Sequence, residues 1–406
     1  MSQEPNLLVQ ANEIVSQCDR CGTCLTVCPL FGAKNIEASA ARGKNNLTRA
    51  LYQGLLQPSD ELEKSVNFCL LCRTCVDSCP NKVQTDEAMM FVRQYLADRS
   101  GGAAVKYKAI GQMMKNRSLV KLSATALTVL RKTNLQALVP FGMAPKEFSR
   151  EKYMAAFAGP AVLKKTPIQK KPIITKNAKV AYFLGCGMKM MFPEAVKETK
   201  TLLQSLTKPQ FVDNVCCGIP HLAHGLREDF LNLAKKNISL YEDADIVVSD
   251  CASCSSTLKQ VAAHFTNDPL WQAKAQAFSE KIMDLTEYLV KAGYQPRQTT
   301  TAKVTFHEPC HLVRGQKLRT EPRALLQAAA DYVEMKGSDS CCGGAGTFHM
   351  DYPDISDSLL DKKRQNIEDS AAQIVVTECP TCLVQMNKAA QKSGGKFKVM
   401  HISQIL

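Results

Sequence analysis

Residues 246–254 read IVVSDCASC, and residues 374–382 read IVVTECPTC. Each is a short β-branched run that stops at Cys-x-x-Cys, the pattern of a buried strand whose end delivers two thiols. Working outward, Cys186 and the vicinal pair Cys216-Cys217 precede the first copy. Cys310 and Cys341-Cys342 precede the second. The copies are offset by 124, 125 and 128 residues, and each vicinal pair is followed by glycine, Gly218 or Gly343. Five cysteines recurring in one order mark a duplication. KVAYFLG and KVTFH read as further strands, while ETKTLLQSL, REDFLNLAKKNISLYE and LLDKKRQNIED carry helical spacing. Such alternation predicts α/β layers around mostly parallel sheets, in two repeated halves spanning 177–297 and 298–406.

Upstream of 100 the pattern differs. Residues 18–29 read CDRCGTCLTVCP and residues 69–80 read CLLCRTCVDSCP. Each run spaces three cysteines by two residues, adds a fourth after three more, and closes with proline. Closely spaced thiolates on one loop suit three irons of a 4Fe–4S cubane, and in two-cluster ferredoxins the fourth cysteine ligates the other cluster. The expected sets are therefore Cys18, Cys21, Cys24 and Cys79 for one cluster. Cys69, Cys72, Cys75 and Cys28 form the other. Zinc would use paired C-x2-C units and leaves the third and fourth cysteines and the trailing prolines without a role. The stretch between the runs is helix-friendly, and Ser59 followed by Asp60, Glu61 and Glu63 reads as a helix start.

Composition bounds the rest. The chain has 406 residues, 45% hydrophobic and 22% charged, which excludes wholesale disorder. Eighteen cysteines without a secretory leader point to metal rather than disulfides. No uninterrupted apolar stretch is long enough to span a membrane. A cytoplasmic protein is expected. The formal net charge is +13, and residues 101–176 hold all of that excess, with fifteen Lys/Arg against only Glu147 and Glu151. This segment reads as a basic helical connector, with a helix around SLVKLSATALTVLRK. An anionic lipid surface gains about 1 kcal/mol per nearby cation. Peripheral attachment to the inner face of the cell membrane, or docking of a quinone-linked membrane partner or an acidic subunit, is expected of 101–176. Nucleic acid is not, because aromatics are few and no nucleic-acid fold is apparent.

The spacing of the two N-terminal runs resembles the α-helical ferredoxin domain of succinate dehydrogenase iron–sulfur subunits. The duplicated C…CCG…CxxC pattern resembles the CCG cysteine-rich domains of heterodisulfide reductase. The fusion of the two is similar to the iron–sulfur subunits of glycolate oxidase, lactate-utilisation and anaerobic glycerol-3-phosphate dehydrogenases. The fold class expected is α+β multidomain, with the ferredoxin domain over 1–100 ahead of the connector and the two CCG domains. Beyond the two cubanes, the resemblance implies one or two further 4Fe–4S clusters, noncubane in heterodisulfide reductases. Their ligands would be Cys186, Cys216, Cys217, Cys251 and Cys254 in the first half. Cys310, Cys341, Cys342, Cys379 and Cys382 would serve the second. It further implies an electron-transfer subunit of a flavin-dependent 2-hydroxy-acid dehydrogenase, passing electrons from a flavoprotein subunit toward quinone or another carrier. The alternative is a heterodisulfide reductase-like subunit that reduces a disulfide at noncubane clusters.

Other signals are weaker. Gly185-Cys186-Gly187 lacks the third glycine of a dinucleotide loop, since Met190 stands there. No flavin or Walker fingerprint occurs, so hydride chemistry falls to a separate flavoprotein. His221, His224, His311 and His349 lie near the motifs and are expected to pack beside a cluster rather than react; no side chain is singled out as catalytic.

Overall fold

The computed structural model describes residues 7–99, 105–133, 178–297 and 300–406. The chain forms two compact units. The first comprises 1–115 with 218–232, and the second comprises 116–217 with 233–406. Among the described residues no helix is long and apolar enough to cross a membrane.

The first unit is helical. Helix α1 (Leu7–Ser16) packs on α2 (Ala41–Tyr52) and α4 (Thr85–Arg99), and α3 (Asp60–Asn67) closes the core. Leu8, Ala11, Val15, Leu51, Leu62, Val66, Met89, Val92 and Leu96 fill it. As the sequence predicts, Ser59 caps α3, its Oγ accepting from the Leu62 N–H at 3.3 Å. A further helix, α5 (Val105–Lys115), belongs to this unit.

The second unit contains two parallel four-stranded sheets. The first holds β1 (Val180–Phe183), β2 (Gln210–Phe211), β3 (Ile246–Ser249) and β4 (Ile282–Asp284) in the order β2-β1-β3-β4. The second holds β5 (Lys303–Phe306), β6 (Asp331–Tyr332), β7 (Ile374–Thr377) and β8 (Lys398–His401) in the order β6-β5-β7-β8. Identical strand orders are what the cysteine repeat demands. The central registers also correspond, with Tyr182 opposite Val248 and Phe306 opposite Val376. In both sheets the chain leaves the first strand to one side and returns on the other. That reversal puts a switch point at the carboxyl ends of β1/β3 and β5/β7, the place where parallel α/β sheets build their sites.

Within the basic segment, a helix over Arg117–Thr133 forms where the sequence predicts one. Lys121 and Arg117 pair with Asp213 at 3.4 and 3.9 Å, so part of the segment's charge is engaged inside the second unit. Lys115 pairs with Asp229 at 2.6 Å within the first. The remaining connector, 134–177, lies outside the described residues.

Candidate metal centres

The two N-terminal cysteine runs fold as near copies. Arg20 and Gly22 in the first loop have φ of 59° and 89°, and Leu71 and Arg73 in the second have 52° and 61°. Alternating left-handed residues turn successive backbone N–H groups toward one point, an anion-binding concavity. A left-handed conformation costs about 1 kcal/mol or more for residues other than glycine. Three such residues in two short loops therefore indicate a demanding occupant. Thr23 and Thr74 repeat as well, each hydroxyl lying beside a thiol, 3.4 Å from Cys21 Sγ and 3.3 Å from Cys72 Sγ. The Thr23 hydrogen bond lowers the Cys21 pKa.

The cavities these loops enclose are shared between the runs. Cys18, Cys21 and Cys24 line one cavity together with Cys79, and Cys75 borders it. Cys69, Cys72 and Cys75 line a second together with Cys28. Each trailing cysteine thus reaches the cavity of the other run. Asn81, two residues past Cys79, holds the crossover by donating to the Gln17 carbonyl (2.8 Å) and to Asp19 Oδ2 (2.7 Å). Burial pushes the Cys28 thiol up to about 11 and the Cys75 thiol well above its usual value. Left as bare thiolates these groups would be costly, and a cationic metal removes that cost.

Three buried or half-buried cations that the sequence reading did not single out support the loops. Arg93 donates to the carbonyls of Val66, Asn67, Cys69 and Ala223, and Arg49 donates to those of Val15 and Cys18. Lys44, on α2, lines the second cavity and donates to the carbonyls of Ala38 (2.9 Å) and Ser65 (2.8 Å). Burial lowers its pKa, while the thiols around it favour its charge. The only sequence signal for these residues is their position on apolar helix faces, where a cation needs fixed acceptors.

In the second unit the ten remaining cysteines stand at the carboxyl ends of central strands and on the loops facing them. Cys186 opens the helix Cys186–Met191 after β1, and Cys251 is the N-cap of Ala252–Lys259 after β3. Cys310 opens the helix Cys310–Val313 after β5, and Cys379 is the N-cap of Pro380–Lys392 after β7. The neighbouring Cys216 thiol and burial push the Cys186 thiol well above its usual value, so as a bare group it stays protonated. In the first half Cys186 Sγ lies 3.5 Å from Cys216 Sγ, and Cys217 contacts both Cys216 and Cys254. Those two neighbours hold the Cys217 thiol down at about 6. In the second half Cys342 Sγ lies 3.7 Å from Cys382 Sγ and also contacts Cys341. Cys379 contacts Cys382, which holds its thiol down at about 7.

The glycine after each vicinal pair has a steric cause. Gly218 has φ of 91°, and a Cβ there would lie 2.5 Å from the Phe230 ring. Gly343 has φ of 79°, and its Cβ would meet the Ser356 carbonyl at 2.8 Å. Gly185, by its backbone closeness, sits where a Cβ would lie 3.3 Å from Cys254 Sγ. Buried amides fix the vicinal loops. Asn237 donates to the Cys216 carbonyl and Gln385 to that of Cys342, both at 2.9 Å. The two Cys-x-x-Cys motifs are also neighbours. The Ala252 N–H donates to the Glu378 carbonyl at 2.9 Å, and Ser253 Oγ lies 3.4 Å from Cys379 Sγ.

Of the four histidines near the motifs, His221 bonds the Gly111 carbonyl through Nε2 at 3.0 Å and His224 stacks on Tyr107, so both serve to seat α5. His349 Nδ1 lies 3.3 Å from the Gly344 carbonyl, and His311 follows Cys310 on its helix. His307, passed over in the sequence, is placed among thiols. A ring nitrogen of His307, Cys342 Sγ and Cys382 Sγ all lie within 4.8 Å of one another.

A helical unit whose thiol runs exchange their last members, followed by two sheets with five thiols each, defines an iron–sulfur protein. Comparison with known proteins agrees. Residues 14–83 match the 4Fe-4S dicluster domain, and residues 180–259 and 304–387 each match the CCG cysteine-rich domain. The lactate utilization protein A of Bacillus subtilis is 30% identical over 56% of this chain and 98% of its own length. The probable glycolate oxidase iron-sulfur subunit of the same organism is 29% identical over 96% of this chain and 92% of its own. A fumarate reductase (CoM/CoB) subunit of Methanothermobacter marburgensis is 24% identical over 96% of this chain and 71% of its own. The chain belongs to the family of iron–sulfur subunits of the glycolate oxidase and lactate-utilisation type, in which a dicluster domain with two 4Fe–4S clusters precedes two CCG domains.

Proposed function

We propose that this chain is the electron-carrying subunit of a flavin-dependent 2-hydroxy-acid dehydrogenase. It would receive electrons from a flavoprotein subunit and pass them toward quinone or another carrier. Cys18, Cys21, Cys24 and Cys79 hold one cubane, and Cys69, Cys72, Cys75 and Cys28 hold the other. The two five-cysteine sets, one per CCG domain, hold one further 4Fe–4S cluster each. Bound clusters supply one-electron oxidation and reduction, and the hydride step belongs to the flavin.

The carrying observation is the exchange of trailing cysteines between the two N-terminal cavities, because crossed ligation keeps two clusters adjacent. The chain's own part is to hold and shield. Arg93, Arg49 and Lys44 fix the loop carbonyls and offset the negative charge that thiolates bring. Asn237 and Gln385 hold the vicinal loops in place.

Burial favours this relay over direct disulfide cleavage. Cys216, Cys217, Cys251, Cys254, Cys342, Cys379 and Cys382 are all buried, which suits electron transfer through protein and does not suit attack by a bulky disulfide. The test is anaerobic. Purified chain is mixed with its flavoprotein partner and a 2-hydroxy acid, and separately with a low-potential donor and a disulfide. Cluster bleaching that requires the flavoprotein supports the proposal. Stoichiometric thiol release by the isolated chain would replace it with the disulfide-reductase reading.

A further inference from the structure

We propose that His307 supplies an imidazole ligand to the metal centre of the second CCG domain, so that the two repeats hold chemically unequal centres. The inference rests on the reading above that the second five-cysteine set holds a cluster.

His307 stands directly after β5, and its N–H donates to the Val376 carbonyl at 2.9 Å, so the sheet fixes where its ring begins. The residue is 1% exposed, and the polar side chain its ring nitrogens approach is the Cys342 thiol, a weak partner that leaves them short of a full hydrogen bond. An unsatisfied buried polar group costs about 1–3 kcal/mol, a cost that a metal bond would remove. The ring lies beside the Cys342 thiol, with the Cys382 thiol in the same 4.8 Å set.

The first repeat has no counterpart. By the 124-residue offset the same place in the first repeat holds Phe183, the buried last residue of β1, which cannot ligate. The second repeat also carries a buried cation. Lys363, 1% exposed, donates to the carbonyls of Gly337 (2.5 Å) and Ser338 (3.1 Å) on the loop leading to Cys341. An imidazole that takes an iron position held by one of the five thiolates in the first repeat makes the second centre less negative and raises its reduction potential, as histidine does in Rieske centres. A nearby ammonium acts in the same direction. The second-domain centre would then be the more oxidising of the pair, and electrons would settle there.

The test uses full-length chain purified anaerobically with its clusters and labelled with ¹⁵N-histidine. Pulsed EPR should show a histidine nitrogen coupled to one cluster signal, and His307→Gln and His307→Cys should abolish it. His307→Cys puts a thiolate in the imidazole's place and should retain the iron while lowering that centre's potential. Absence of histidine coupling in the wild type, or its persistence in both variants, would overturn the proposal. Cys342→Ala separates the two levels. If iron content falls in Cys342→Ala while both His307 variants keep wild-type spectra and potential, the cluster stands and the histidine assignment fails. If Cys342→Ala leaves iron unchanged, the underlying reading fails first.

Discussion

The dicluster unit and the duplicated sheets both gather thiols, and they do it by opposite means. In the first, three cysteines of each set share one short loop, and only the fourth comes from elsewhere. In the second, every set draws on two strand ends and a facing loop, so no single segment makes a site. Where ligands are local, backbone strain concentrates in the loop, as at Arg20, Leu71 and Arg73. Where they are dispersed, the left-handed turns fall on glycines, which adopt them without strain and leave room for distant elements to touch, as at Gly218 and Gly343.

That contrast can be broken most forcefully at the crossover. Cys28→Ser should remove the cluster held by the 69–75 run, and Cys79→Ser the one held by the 18–24 run. Each loss should be about one cluster's worth of iron, read by EPR and iron content. If each substitution erased the cluster of its own run, crossed ligation would be wrong. In the sheets, Cys341→Ala with Cys342→Ala should also lower iron by about one cluster, leaving the dicluster signals intact. Unchanged iron would make the second half a packing module.

Smaller effects separate strain from support. Gly343→Ala forces a Cβ to within 2.8 Å of the Ser356 carbonyl from a left-handed backbone. It should lower stability by about 1–3 kcal/mol in thermal or denaturant unfolding. Arg93→Met leaves four carbonyls without their donor and removes a buried charge. A loss of about 2–3 kcal/mol is expected, with a broadened signal from the 69–75 cluster. If that variant unfolded like the wild type, the cation would be incidental to the loop. The mildest change concerns the connector. Replacing Lys164, Lys165, Lys170 and Lys171, all outside the described residues, with Gln should weaken salt-sensitive docking to anionic vesicles or the flavoprotein and leave cluster spectra unaltered. Identical co-sedimentation curves over salt would deny the segment a docking role.

The local sites were the legible ones. Spacing alone sorted the eight N-terminal cysteines into the two groups that line the two cavities, because three members of each group are near neighbours in the chain. The strands ending at 183, 249, 306 and 377 were equally visible, since buried parallel strands read as continuous apolar runs. The edge strands were not. Gln210–Phe211 and Asp331–Tyr332 are two residues long and partly exposed, and a central neighbour, not propensity, makes them strands. Arg93, Lys44 and His307 escaped notice for a related reason. Each gains its meaning from atoms tens of residues away, and a lone cation or histidine on an apolar stretch carries no spacing to read. Aligning the repeats, which sets His307 against Phe183, is the signal that would have exposed the last.

The central claim is that eighteen cysteines form four electron-carrying centres, and metal analysis with Mössbauer spectroscopy on anaerobically purified full-length chain tests it most directly. The account predicts about sixteen irons per chain, all in 4Fe–4S form, with no stoichiometric zinc. About eight irons confined to the dicluster domain, with zinc or no metal in the sheets, would contradict it.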